Sequence, residues 1–209
     1  CVRNRSIEDG QGRSSVTSWM WWVSGGVILI VTVATLAWTY GARIDRLHRR
    51  IASARLRLDR HLVKRSAEAV RLADSGALTK EDSNALREVA TAALSAAEFP
   101  LAEDSLGGFA RQGRGSAEDS ALRRHAESSL SQVLRSTLTP ELRGELEQSV
   151  LTHTQLDVLA SATYRARVAR NLHNQDVSNV RRLRAKPIAR VFHLSGRAPL
   201  PQYVDIDDQ

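Results

Sequence analysis

The sequence predicts an all-α protein, with one N-terminal transmembrane helix followed by a long-helix antiparallel bundle. Three observations predict it. Residues 19–40 carry no charged side chain, and as a helix at ~1.5 Å per residue they span about 33 Å, enough to cross a bilayer core of ~30 Å. Glycine and proline are scarce, 12 and 5 in 209 residues, while Ala, Leu, Arg and Glu are plentiful, which favours helix over sheet. Beyond the span, apolar residues recur at steps of three and four, the helical period.

The span carries its own markers. Trp19, Trp21 and Trp22 crowd one end, and Trp38 and Tyr40 mark the other. These amphipathic rings favour the headgroup level and are the expected interface anchors. Seven arginines follow within twenty residues (Arg43, Arg46, Arg49, Arg50, Arg55, Arg57, Arg60), against Arg3, Arg5 and Arg13 before the span. The positive-inside rule then places the N-terminus outside and the C-terminal domain in the cytoplasm of a bacterial plasma membrane. A cleaved signal peptide fits less well, because the apolar run is too long and no small-x-small site ends it. The span's Gly25, Gly26, Ala34 and Ala37 offer close contact to a partner helix, but they form no Gly-x-x-x-Gly pair.

Residues 1–18 read as a flexible extracytoplasmic tail. Cys1 is the only cysteine, so no disulfide forms within the chain. It admits two readings: the lipidated first residue of a processed lipoprotein, or an arbitrary start with translation beginning at or before Met20.

Residues 41–187 read as the cytoplasmic helical bundle. Ile44, Leu47, Ile51, Ala54, Leu58 and Leu62 make a narrow coiled-coil-like stripe. Only Gly41 stands between it and the span, so the membrane helix is expected to continue until Asp74, Ser75 and Gly76 stop it. Thr79, with Asp82 three residues on, starts a second helix, whose face is read as Leu86, Val89, Ala93, Leu94 and Ala97. Residues 98–117 are a surface loop by their glycines. A third helix presents Leu122, Ala126, Leu130, Val133 and Leu134. Thr139, Pro140 and Glu141 are a restart signal, from which a last helix is expected to run to Arg184. Its stripe is Leu156, Leu159, Ala162, Ala166, Ala169, Val177 and Val180. Pro187 ends it, and residues 188–209 are a C-terminal tail.

Near that end the sequence reads Ala169-Arg170-Asn171-Leu172-His173-Asn174, then Val177-Ser178-Asn179, Lys186-Pro187 and Val191-Phe192. This pattern resembles the LemA family of bacterial membrane-anchored helical proteins, whose marked stretch is Ala-Arg, an aromatic followed by Tyr-Asn, Val, a second Tyr-Asn and Phe-Pro. Ala169, Arg170, Asn174, Val177, Asn179 and Pro187 match. Leu172, His173, Ser178 and Lys186 depart from it. The resemblance covers roughly residues 19–205, and the abundance of arginine fits an actinobacterial branch. It implies a short outer N-terminus, one span and a long helical domain, and no defined reaction.

No catalytic or metal-binding pattern stands out. The six histidines (His48, His61, His125, His153, His173, His193) include no i, i+4 pair and no His-Glu-x-x-His order. There is no Gly-x-Gly-x-x-Gly, no Walker A and no Gly-x-Ser-x-Gly. The chain is therefore read as a non-enzyme with no catalytic residue, no metal site, no cofactor and no small-molecule substrate. Its net charge of +7 sits just after the span, where Arg43, Arg46, Arg49 and Arg50 are the expected contacts for anionic lipid headgroups. Nucleic acid is the rival partner of a basic chain, but aromatic residues are too rare for a stacking platform. Ala162, Ala166, Ala169, His173 and Asn174 are the expected helix-docking and partner surface, small residues that admit a close neighbour. His173 reads either as a core histidine satisfied by a nearby carbonyl or hydroxyl, or as a pH-sensing or partner-binding group. Asn174 reads as setting the register of a facing helix, or as exposed.

The expectation is thus a scaffold or accessory subunit docking on integral membrane partners of a larger complex, a respiratory or other energy-transducing one among the candidates. The alternatives are a LemA-like stress or signalling protein acting as a homo-oligomer, and a lipoprotein-anchored membrane protein.

Overall fold

Apart from Gly41, no glycine or proline interrupts the chain between the span and Asp74, and α1 (Gly12–Asp74) runs through it as one helix of 63 residues. The computed structural model describes residues 12–102, 117–186 and 200–207. Five helices follow in order: α1, α2 (Lys80–Ala96), α3 (Ala117–Thr137), α4 (Pro140–Leu146) and α5 (Val150–Ala185). Among the described residues there is no strand. Cys1, most of the glycine-rich loop, Pro187, Val191, Phe192 and His193 lie outside the described residues, as do the side chains of Ala37, Tyr40 and Ile44.

The first half of α1 is long and apolar enough to cross a membrane, and none of its most apolar stretch is buried. From Ile51 onward the same helix is core. Ile51, Ala54, Leu58, Leu62, Ala69 and Leu72 are all buried, at steps of three, four and, once, seven residues, so a single face looks inward. Ser75 Oγ donates to the Leu72 carbonyl at 2.7 Å, and Gly76 turns the chain at φ 75°, a left-handed conformation that glycine adopts without a Cβ clash.

Two helix starts follow local capping rules. The Thr79 hydroxyl accepts the Asp82 backbone N–H at 3.2 Å and donates to its carboxylate at 2.7 Å. The Thr139 hydroxyl accepts the Leu142 N–H at 3.3 Å, with Pro140 opening α4. Both pairs satisfy donors that the first turn leaves without an intrahelical acceptor.

The last helix breaks where continuity was expected. Residues 147–149 separate α4 from α5, and Ser149 is extended at φ −99°, ψ 127°. In a straight helix Leu146 and Leu159 would stand about 140° apart, on different faces. Both are buried in one cluster with Leu130, Leu134 and Leu156, so the break lets each face the core. The Thr152 hydroxyl donates back to the Leu146 carbonyl across the corner.

Two faces also differ from expectation. In α2 the buried residues are Leu86, Ala90, Ala93 and Ala96, not Leu94 and Ala97. In α3 Leu122 is exposed, while Arg123, Glu127 and Ser131 are buried with Leu130 and Leu134. Leu101 and Ala102, placed in a surface loop by composition, are buried as well.

Three apolar clusters line α1. Ile51 packs with Val177 and Val180. Leu58 and Leu62 pack with Ala166, Leu101, Val204 and Ile206. Ala69 and Leu72 join the large cluster built from α2, α3, α4 and the start of α5. The C-terminal tail is thus partly core: Pro201, Val204 and Ile206 are buried.

The middle cluster gives a direct test. Ala166→Leu puts an isobutyl group where Leu58 and Leu62 already meet the backbone of α5. Overpacking of this kind costs ~1–3 kcal/mol, which lowers the melting temperature by roughly 2–10 °C for a domain of this size. Ala185→Leu, at an exposed position, leaves it unchanged. Thermal melts of the full chain in mild detergent, followed by circular dichroism, measure both.

Candidate functional site

The stretch from residue 19 to residue 40 meets the demands of a lipid environment. Hydrocarbon offers no hydrogen bonds, so each polar group must be satisfied within the segment. Its four serine and threonine hydroxyls each donate to their own helix: Ser24 to Met20 O at 2.7 Å, Thr32 to Ile28 O at 2.8 Å, Thr35 to Val31 O at 2.6 Å and Thr39 to Leu36 O at 2.9 Å. Trp22 and Trp38 are 83% and 80% exposed, and Trp19 and Trp21 are exposed too. The four described anchors therefore face outward, at the ends of the apolar stretch. A Cβ built on Gly25, Gly26 or Gly41 meets nothing within 4 Å.

The arginines after this stretch do not behave alike. Arg43 and Arg46 are exposed, and Arg46 Nε donates to the Ala42 carbonyl at 3.2 Å. Arg49 is also exposed. Arg50 instead reaches across to α5, where its Nε donates to Asp176 Oδ2 at 3.0 Å. The Asp176 carboxylate is itself buried, so Arg50 is tied to the fold as well as to the collar.

The expected docking stripe is covered from within the chain. Ala162 and Ala166 are buried, Ala166 in one cluster with Leu58 and Leu62 of α1, and Ala169 is partly buried against that cluster. His173 is fully buried, with Nε2 3.3 Å from the Gln202 carbonyl. Asn174 grips Val204 twice: Nδ2 donates to its carbonyl at 3.0 Å, and Oδ1 accepts its N–H at 2.9 Å. Asn174 therefore engages the C-terminal segment, where a facing helix had been expected.

Beside this stripe lies a buried charge network that the reading of the sequence missed. Arg65 is 1% exposed. Its Nη2 donates to Glu127 Oε2 at 2.7 Å and to the Glu127 carbonyl at 3.0 Å, and its Nη1 donates to Ser131 Oγ at 2.9 Å. Arg123, one turn earlier on α3, donates to the Ala97 and Phe99 carbonyls at 3.1 and 2.6 Å and to Asp59 at 2.5 Å. Burial pushes the Glu127 carboxyl above its ordinary range, and the Arg65 and Arg123 guanidiniums pull it back only in part. The signal for Arg65 was register: the series 51, 54, 58, 62, 65, 69, 72 keeps helical steps only if position 65 belongs to it. A search for apolar residues passes over it.

Two cavities open beside α5, one toward α1 and one toward α3 and α4. One, of about 190 Å³, is lined by Ala54, Arg57, His61, Tyr164, Arg165 and Leu172 among others. Burial, then the neighbouring Arg165, Lys64 and Arg60, hold the His61 imidazole below its ordinary pKa. The second, of about 240 Å³, has Arg65, Arg135, Arg143 and Arg167 around an apolar floor. No acidic side chain lines either cavity. Among the described residues no group of His, Cys, Asp and Glu is arranged to hold a metal ion.

The charge network carries a pH signature. Arg65→Met leaves the Glu127 carboxylate buried without its partner, which costs ~3–5 kcal/mol near neutral pH. Losing Arg65 also raises the Glu127 carboxyl further, so the folded chain takes up a proton at higher pH than before. A group with a raised folded pKa contributes stability at low pH that is lost as pH rises through that value. The Arg65→Met penalty is therefore largest at pH 7.5 and smaller at pH 5.5. Arg65→Met/Glu127→Leu costs less than the sum of the two single changes. Thermal melts of the four proteins at both pH values test this. An equal Arg65→Met penalty at both would remove the carboxylate as its source.

Compared with known protein families, curated proteins and solved structures, the chain matches none.

Proposed function

We propose that this chain is a single-pass membrane protein whose cytoplasmic helical domain works as a non-catalytic scaffold or accessory subunit for integral membrane partners. One observation carries the reading. A single helix exposes nearly all its large apolar side chains over residues 19–38 and, Leu56 excepted, buries or half-buries them from Ile51 onward. Water penalises the first arrangement and rewards the second, so the two halves are suited to two solvents. Self-satisfied hydroxyls and outward tryptophans at the ends of the apolar stretch support the same reading.

On this proposal α1 is a rigid mast. About 50 Å of helix follows Tyr40 at ~1.5 Å per residue; the first ~15 Å, residues 41–50, separates the domain from the lipid surface, and the rest is the domain's own core helix. The domain is read as an antiparallel pairing of α1 with α5. Arg50 pairs with Asp176, Leu58 and Leu62 share a cluster with Ala166, and Leu72 shares one with Leu156. Later α1 residues thus meet earlier α5 residues. An apolar stretch that runs into a long helical domain is the arrangement that the LemA resemblance implies. The exposed Arg43 and Arg46 would contact anionic headgroups at ~1 kcal/mol each, with the N-terminus outside and the domain inside.

Two measurements test this. A reporter active only outside the cytoplasm, fused after Gln209, is silent; activity there overturns the orientation. Arg43→Gln/Arg46→Gln lowers the preference of the detergent-purified chain for anionic over zwitterionic lipid about tenfold or more, and its melting temperature stays unchanged. Arg50→Gln also lowers the melting temperature, because it leaves the buried Asp176 carboxylate without its ion pair.

A further inference from the structure

Residues 200–207 lie across α3 and α5 as an extended peptide, and side chains hold them mostly by main-chain groups. Arg181 Nε donates to the Pro201 carbonyl at 3.0 Å. His173 meets the Gln202 carbonyl at 3.3 Å. Asn174 takes both the N–H and the carbonyl of Val204 at 2.9 and 3.0 Å. Arg170 donates to the Ile206 carbonyl, and Ser128 Oγ accepts the Asp207 N–H at 3.1 Å. A side-chain amide that pairs with one residue's N–H and C=O does what a neighbouring strand does, in a place where no strand is present.

Side-chain recognition follows the same period. Val204 and Ile206 point inward and are buried, while Tyr203, Asp205 and Asp207 are exposed, the alternation of an extended chain. Arg181 lies over the Tyr203 ring at 4.8 Å from its centroid, and Arg135 pairs with Asp207 at 3.2 Å. Main-chain hydrogen bonds with pockets for alternate side chains are how receptors bind extended peptides.

We propose that this groove is a peptide-recognition site for an extended aliphatic–Asp–aliphatic–Asp segment, filled by the chain's own residues 200–207 and exchangeable with the same segment of a second copy. The chain between Lys186 and Leu200 has a reach of roughly 45 Å when extended. In the cis arrangement Pro201 lies within one side chain of Arg181, so most of that reach is unused. An identical segment fits by construction, and mutual exchange is the symmetric route by which identical chains join. The proposal does not depend on the membrane reading, since the hydrogen bonds lie at residue 128 and beyond and the apolar contacts with Leu58, Leu62 and Leu101 lie in the buried domain.

The test has two arms. In the first, a fluorescent synthetic peptide of residues 199–209 is titrated into the chain ending at residue 198, in mild detergent. Saturable binding is expected, weakened about tenfold or more by Asn174→Ala, which leaves both Val204 main-chain groups without their partner, and abolished by Val204→Asp in the peptide. The full chain, whose own segment competes, binds the peptide far more weakly. No saturable binding by the folded truncated chain overturns the site. In the second arm, the full chain carries Cys1→Ser, Ser128→Cys and Asp207→Cys and is oxidised over a range of concentrations. Exchange gives a covalent dimer bridged between positions 128 and 207, identified by mass spectrometry of the digest, whose share rises with concentration beside the internally bridged monomer; omitting Ser128→Cys removes the 128–207 bridge and leaves at most dimers bridged 207 to 207. A 128–207 bridge in monomer alone at every concentration overturns exchange, even where the peptide binds. The second arm also decides the matter if the truncated chain does not fold.

Discussion

A helix that runs unbroken for 63 residues sets the azimuth of every side chain it carries, at about 100° per residue. Because α1 neither kinks nor stops between its apolar half and its core half, the face begun by Ile51 must continue through Leu72. Position 65 falls on that face whatever residue occupies it. The rest of the domain is arranged around this. α3 brings Glu127 and Ser131 to meet the buried guanidinium. α5 brings alanines to lie close against Leu58 and Leu62. α4 breaks from α5 so that Leu146 can reach the same core.

The Arg65–Glu127 pair is costly by comparison with an apolar pair, since two charges leave water and recover only part of their hydration. Its geometric demands are correspondingly strict. Arg65 takes three acceptors on two successive turns of α3, and a one-residue slip of α3 would lose them together. Arg123 repeats the arrangement toward the end of α2, where it takes the Ala97 and Phe99 carbonyls just past the helix. Leucines at these places would fill the space but tolerate sliding. The hydrogen bonds of Arg65 and Arg123 are all made in this register.

The C-terminal segment completes the structure differently. It covers the middle of the α1–α5 seam with Val204 and Ile206, and it supplies main-chain groups for the polar side chains of α5 that face it. His173 and Asn174 would otherwise be costly on such a helix face. With the segment in place they become the means of holding it. The part of α5 that looked most like a surface for a partner is therefore already occupied.

Local rules were enough to read the helical class, the unbroken passage from apolar stretch to domain, the caps at Thr79 and Thr139 and the stripe of α5. Each depends on residues within a few positions of one another, through helix period or a single capping hydrogen bond. The burial of Arg65, Arg123 and Glu127, the corner at residues 147–149 and the docking of residues 200–207 were not legible in this way. A charged residue in the core is stable only beside a partner more than sixty positions away. A corner pays off only when both its leucines reach the same cluster. The tail's alternation of Val204 and Ile206 has no meaning until Asn174 and the apolar side chains of α1 stand beside it. These features arise from contacts between distant segments, and tertiary packing is what brings those segments together.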